Sequence, residues 1–455
     1  MKIIIVGLGK VGNTLAVKLC KEENHDITVV DLKQSVIHDL INEHDLMGVV
    51  GSGSSIDTLI DAGVDKADIL IAVTGSDELN LLTCFIAKKI GNCKTIARVR
   101  KPEYNREIHF FKEDLGLEMI INPEQTAASE IAKLLRFPTA IQIDSFAKGR
   151  VEILKFKIPD GNVLDNLKIA ELGSKLNCDV LICGVQRDDT AFIPSGDFIL
   201  QSGDLVSIVA SMENATHFFK SIGLKTNRVK DTMIVGGGAT AVYLAHRLIK
   251  SGIKVKIIEQ NPARCEELCQ LLPKASILNA DGTENSVLLE EGLESAESFV
   301  SLTNIDEENV LLSLYAQSKT NGKVITKINR IAYDEVISSL NLDTIIFPKD
   351  LTAEYIVRFV RAMENSIGCN VETVHYVLDG KAEALEFRIR ENSNVTDITL
   401  EKLELKKNLI VACINRNGKI IIPRGKDVIK TGDTVIVVTT ESGYNDISDI
   451  LREKI

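Results

Sequence analysis

No Cys-x-x-Cys pair occurs among the nine cysteines of this 455-residue chain. The closest pairs, Cys178/Cys183 and Cys265/Cys269, have no histidine spaced to complete a zinc site. The thiols therefore read as free and at least partly buried, in a reducing compartment. The seven histidines are dispersed, and none is assigned to a metal. No apolar run reaches the length of a membrane span, and the N-terminal one reads as a first strand, not as a signal peptide. Basic residues form no stripe and the net charge is −11, which argues against a nucleic-acid partner. Low-complexity segments are absent too, and 45% hydrophobic with 26% charged residues is an ordinary globular balance. A soluble, cytosolic chain of several domains is the expectation, since this length exceeds one core.

What is present is concentrated first in residues 2–31. Ile3-Ile4-Ile5-Val6 suits a strand buried on both faces of a parallel sheet. It runs into Gly7-x-Gly9-x-x-Gly12, and an apolar-periodic helix follows through Val11, Leu15, Val17 and Leu19. Gly7 permits the tight turn, Gly9 lets backbone N–H groups approach a pyrophosphate, and Gly12 lets helix and strand pack closely. Leu8, Lys10 and Val11 complete the candidate loop, whose helix end offers unpaired N–H groups to phosphates. Asp31, 19 residues after Gly12, is placed to accept hydrogen bonds from an adenosine ribose and to repel a 2′-phosphate.

The βα rhythm continues. Strands are expected at Met47–Val50, Ile69–Val73, Thr95–Val99 and Met119–Ile121, with helices through Leu59/Ile60 and Leu81–Ile90. Six parallel strands make a complete nucleotide-binding sheet. Pro123 starts a helix with Ala127, Ile131, Leu134 and Leu135 on one face. Character changes near Pro138, and from Val151 to about Gly223 short strands and two helical pieces describe a small α+β domain.

Then the pattern restarts. Met233-Ile234-Val235 leads into Gly236-Gly237-Gly238-Ala239-Thr240-Ala241, and Val255–Ile258 ends at Glu259. Gly7 recurs as Gly236, an offset of 229 that returns for Gly53/Gly282, Thr74/Thr303, Asn80/Asn309, Arg98/Lys327 and Asp204/Asp433. The whole unit is duplicated. The fold class is therefore α/β: two Rossmann-like, doubly wound parallel sheets, each followed by a small α+β subdomain. Boundaries are expected at 1–137, 138–225, 230–363 and 364–455.

With both halves in view, the chain resembles the tandem RCK (also called KTN) family of TrkA-type peripheral regulatory subunits of Trk potassium uptake systems. The resemblance covers nearly the full length. It implies binding of NAD(H), with ATP or ADP as further ligands, and a ring of RCK domains. It also implies gating of a separate membrane potassium-translocating subunit, through which the chain would attach to the cytoplasmic face of the membrane. An eight-fold ring would take four chains. Gly7, Gly9, Gly12 and Asp31 match the family's first fingerprint. In the second, Gly236 and Gly238 match, Ala241 replaces the third glycine, and Glu259 keeps the carboxylate on a longer arm. The family's acid–small–Thr motif near the adenine is kept in Asp281-Gly282-Thr283, whereas the first copy has Ser52-Gly53-Ser54.

Thr74 and Thr303, after the fourth strands, lie where ligands bind in such sheets, or serve only as helix-start turn residues. Arg98 could reach a phosphate or a neighbouring subunit, and Lys327 keeps the charge without the bidentate fork. A hydride-transferring enzyme would need an acid/base group besides the nicotinamide. The only histidines in the small subdomains, His217 and His375, do not align at the 229 offset, and His109 near the end of the expected Glu103–Phe111 helix has no apparent partner. The expectation is a regulatory module, not an enzyme.

Overall fold

A computed structural model of the chain describes every residue except 22–24, 102–103, 105–113, 147–150, 225–227, 330–335, 338–339, 366–370, 453–455 and the single positions 177, 189, 379, 442 and 445. The first half opens with β1 (Lys2–Val6), α1 (Lys10–Cys20), β2 (Asp26–Asp31), α2 (Gln34–Glu43), β3 (Met47–Val50) and α3 (Ile56–Asp61). It continues through β4 (Ile69–Ala72), α4 (Asp77–Gly91), β5 (Lys94–Arg98), β6 (Met119–Ile121) and α5 (Pro123–Arg136). The six strands are parallel, in the order β3-β2-β1-β4-β5-β6. Ile3, Ile4, Ile5 and Val6 are all buried, as a central strand covered on both faces requires. The order in which strands are added reverses between β1 and β4, and that switch point opens a crevice at their carboxyl ends.

The small subdomain follows: β7 (Gln142–Phe146), β8 (Val151–Lys157), α6 (Ile169–Leu176), β9 (Leu181–Arg187), β10 (Thr190–Phe192), β11 (Leu205–Ala210) and α7 (Met212–Ser221). Its strands form an antiparallel sheet, β10-β9-β11-β8-β7. The sequence does not announce β7. Gln142-Ile143-Asp144-Ser145-Phe146 buries an aspartate, and that interrupts the apolar signature of a strand. The Glu103–Phe111 helix and His109 fall, apart from Tyr104, outside the described residues.

The second half repeats this plan. Its nucleotide fold runs β12 (Asp231–Val235), α8 (Ala239–Lys250), β13 (Lys254–Glu259), α9 (Pro262–Leu271), β14 (Ser276–Asn279), α10 (Asn285–Glu290) and β15 (Ser298–Ser301). It closes with α11 (Asp306–Lys319), β16 (Lys323–Lys327), β17 (Thr344–Ile346) and α12 (Pro348–Asn365). The second small subdomain holds β18 (Val371–Val377), β19 (Ala382–Arg388), β20 (Leu409–Arg416), β21 (Lys419–Ile421) and β22 (Thr434–Thr439). The sheet orders, β14-β13-β12-β15-β16-β17 and β18-β19-β22-β20-β21, match those of the first half.

Packing groups like with like. One compact unit holds residues 1–132 and 230–357, and the other holds 133–229 and 358–455. Within the first unit the helices after the sheets reach the other nucleotide fold. Lys18 on α1 pairs with Glu354 on α12 at 2.9 Å, and Asn122, just before α5, donates to the Tyr243 hydroxyl on α8 at 3.2 Å. The apolar face of α5 is covered, with Ala127, Ile131, Leu134 and Leu135 buried. Within the second unit the two antiparallel sheets share a core in which Phe146, Val151 and Ile153 meet Val377, Ala382 and Ala384. Among the described residues no helix is long and apolar enough to cross a membrane.

Candidate functional site

Each nucleotide fold builds a crevice from the loop after its first strand. Gly7 turns the chain at φ +97° and Gly236 at φ +100°, the left-handed region that a side chain disfavours. A Cβ on Gly7 would stand 2.8 Å from the Thr74 backbone, and one on Gly236 2.8 Å from that of Leu302. Gly12 sits against β1, where an added Cβ would lie 1.9 Å from the Gly7 carbonyl oxygen. The second fold accommodates a methyl at that position, with Ala241 fully buried.

Gly9 and Gly238 differ from these. Each is the N-cap of its helix, and a Cβ built on either meets nothing within 4 Å. Neither helix has a side-chain cap or an acid in its first turn. Among the other helices, Ser55 caps α3, Ser76 caps α4, Ser211 caps α7 and Asn261 caps α9, while α2, α10 and α11 also start without a side-chain cap but lack the glycine and its open space. The ends of α1 and α8 thus keep their first-turn N–H groups and positive dipole end for an anion, beside space that a glycine leaves open. The residues present fit a dinucleotide's pyrophosphate.

Asp31 and Glu259 brace these loops. Asp31 accepts from the Leu8 N–H at 2.6 Å and the Lys33 N–H at 2.9 Å, and Glu259 accepts from Gly237 and Asn261, both at 2.8 Å. Each carboxylate therefore couples the phosphate loop to the end of the second strand, with lone pairs left over for a ribose hydroxyl. Arg264, which sequence reasoning missed, donates to the Gly237 carbonyl at 2.8 Å, so the second loop has a cation that the first lacks at the matching Val36.

The remaining candidates divide between crevice and scaffold. A Cβ on Gly53 would collide with Val6 and Thr83, and one on Gly282 with Val235, so these glycines let their loops close on the sheet. Ser52 bonds Ser54 at 2.8 Å, and Asp281 accepts from the Thr283 amide and hydroxyl, which hold its carboxyl below the usual range. Thr74 gives both its N–H and its hydroxyl to Asn80, at 2.8 and 2.7 Å, and Thr303 does the same to Asn309 at 2.9 Å. Asn80 in turn donates to the Arg98 carbonyl, and Asn309 to that of Lys327. These fully buried asparagines tie the fourth strand to the fifth and fix the crevice floor.

Arg98 and Lys327 are less open than expected. The Lys327 ammonium is buried and donates to the Leu302 carbonyl at 3.1 Å. Burial pulls its pKa down, opposed by Asp306 and Glu124. Burial likewise lowers Arg98, with Arg100 adding to the effect and Glu124 and Asp77 opposing it. Glu124, in the first turn of α5, thus lies within electrostatic reach of both folds' strand-end cations. His375 belongs to the second unit and pairs with Asp144.

Models of the TrkA-N domain match residues 3–123 and 232–348, and models of the TrkA-C domain match 153–223 and 384–452. The chain belongs to the TrkA family. The Trk system potassium uptake protein TrkA of Haemophilus influenzae is 33% identical over 448 residues, 97% of this chain and 96% of that protein. A homolog from Archaeoglobus fulgidus is 31% identical over 452 residues, 99% of this chain and all of the relative. Among solved structures, the GsuK RCK domain superposes with a TM-score of 0.62 at 17% identity, covering 96% of this chain and 92% of that one. A GsuK channel bound to NAD gives the same TM-score and identity, over 96% and 76%. At such identity the likeness concerns the fold alone. TrkA is a family of potassium transport regulators, not of enzymes, and its tandem RCK architecture is that of this chain.

Proposed function

We propose that this chain is a nucleotide-sensing regulatory subunit that gates a membrane potassium-translocating protein of the Trk type from the cytoplasmic side. The observation that carries the reading is the pair of uncapped helix ends at Gly9 and Gly238, each beside open space and braced by a carboxylate. NAD(H) is the ligand of the first site. There the N–H groups of residues 9–12 receive the pyrophosphate, Asp31 receives the adenosine ribose, and Leu32, 70% exposed just after Asp31, offers an apolar platform for the base. The GsuK structure solved with NAD supports this choice by its fold.

The second site takes an adenine nucleotide with different preferences. Ala241, Glu259, Arg264 and Asp281-Gly282-Thr283 replace Gly12, Asp31, Val36 and Ser52-Gly53-Ser54. Ring assembly from four chains is supported by α4 and α11, which leave Leu82 and Phe85, and at the matching position Leu311, exposed. A ligand shifts such a ring only by its difference in affinity for the two shapes, typically about 1–3 kcal/mol per site.

Two measurements test the reading. Calorimetry on a chain whose second site is blocked by Gly238→Val should show NADH bound at least about tenfold more tightly than NADPH, because a 2′-phosphate meets the Asp31 carboxylate. Equal affinities would remove that role from Asp31. Potassium flux through vesicles holding the chain and its transporter should change with NADH, NAD+, ATP or ADP. Flux indifferent to all four overturns the regulatory reading.

A further inference from the structure

The two small subdomains descend from one repeat, and their strand registers align them position by position. Ile153 pairs with Val209, and Ala384 pairs with Val438, 229 residues on. Ile153 and Ala384 therefore occupy the same place. Across the next ladder, Ile153 faces Asp144 and Ala384 faces His375. Asp144 and His375 are thus the same position in the two copies, and they meet each other, Nδ1 of His375 lying 3.3 Å from Oδ1 of Asp144. Both are buried, and the imidazole packs on Phe146 with ring centroids 4.1 Å apart.

Like residues meeting across such a pseudo-axis would be chemically poor, and the unlike pair is matched. Burial works against the Asp144 carboxylate, but the hydrogen bond and charge of His375, with Arg358 and Lys133, bring its pKa below the usual range. Burial lowers His375 as well, against the pull of Asp144. At neutral pH an ionised carboxylate, which can only accept, is met by a neutral ring whose Nδ1–H donates. Volumes are matched in the same sense. Phe146, Val151 and Ile153 in the first copy face a core completed by the smaller Val377, Ala382 and Ala384 at the corresponding places. Gly184 completes the set. A Cβ there would stand 2.8 Å from Leu378 Cδ1, while the equivalent position in the second copy is the fully buried Cys413.

We propose that this face is keyed: a first small subdomain accepts only a second one, from its own chain or from a neighbouring copy, and rejects its own kind. Two first copies would oppose two buried carboxylates and double the large set of side chains. Two second copies would double the small set and press Leu378 onto a cysteine where it now meets glycine. Either arrangement leaves voids or overpacking.

The test recreates the like-with-like pairs inside the full chain. His375→Asp places two carboxylates together, Asp144→His places two imidazoles together, and the double exchange restores an unlike pair with reversed polarity. Amide hydrogen exchange in 142–146 and 371–377 at pH 7.5 is the readout. We expect His375→Asp to lower protection about 100-fold and Asp144→His less, since neutral imidazoles can still share a proton. The double variant should return to within about tenfold of the parent. If His375→Asp proves insoluble, a soluble and protected double variant still supports the proposal. Unchanged protection in His375→Asp, or a double variant that loses the product of the single effects or fails to fold, overturns it.

Discussion

Replacing Gly9 by valine should leave the fold intact and abolish nucleotide binding in the first half alone. Gly9 sits at φ −68° and ψ −169°, a conformation open to any residue, and no protein atom lies within 4 Å of an added Cβ. Valine caps a helix poorly, so a stability loss of up to about 1 kcal/mol is expected. Its branched side chain would nevertheless fill the space through which phosphates reach the first-turn N–H groups of α1, and affinity should fall by at least about 100-fold. Gly238→Val should do the same to the second half. Gly7→Val is the contrasting control. At φ +97°, with the Thr74 backbone 2.8 Å from its new Cβ, it should destabilise the whole sheet and not merely empty the site. Calorimetry with NADH, alongside thermal unfolding of each variant, separates these outcomes. Parent-like affinity in Gly9→Val, measured with Gly238→Val in the background, would place the site elsewhere.

The glycine loops were legible because their chemistry is local. A strand, a turn that needs positive φ, and a helix start without a cap all fall within a dozen residues, and the duplication shows the arrangement twice. The matching acids, Asp31 and Glu259, could be found by distance along the chain. Their grip on the loop amides could not, since that depends on how β1 and β2 lie side by side. Asn80 and Asn309 stood out only as repeated letters. Each bonds the carbonyl of a residue 18 positions away on the next strand, and one-dimensional spacing does not predict such a link. Strand β7 escaped for a related reason. Asp144 is tolerable in a buried strand because Gln142 on the same strand and His375, 231 residues later, supply its donors. The grouping of the two nucleotide folds into one unit and the two small subdomains into another is likewise a matter of surfaces, not of order along the chain.

Asp204→Ala and Asp433→Ala should each destabilise the small subdomain that holds them by about 2 kcal/mol, the scale of the charge-assisted hydrogen bonds removed. Gly203 and Gly432, just before these aspartates, turn the chain at φ +87° and +92°. The aspartates do more. Asp204 is nearly fully buried and takes both arms of Arg187, each at 2.8 Å, while accepting the Gln201 N–H at 2.9 Å. Asp433 repeats this with Arg416, at 2.9 and 2.8 Å, and with Lys430 N–H at 2.8 Å. The same arginines also reach the Ile199 and Val428 carbonyls, so each bridge fastens a strand to the loop that leads into the next one. Removing the carboxylate leaves the guanidinium about 30% exposed and able to hydrate. The loss therefore comes chiefly from the vacated amide and the freed loop. Asn in place of Asp keeps one acceptor for the amide but no charge, and should fall midway. Urea unfolding monitored by hydrogen exchange in β9 and β11 tests the first copy, and β20 and β22 the second. A loss under about 1 kcal/mol in both alanine variants would mean that turn geometry alone holds these loops.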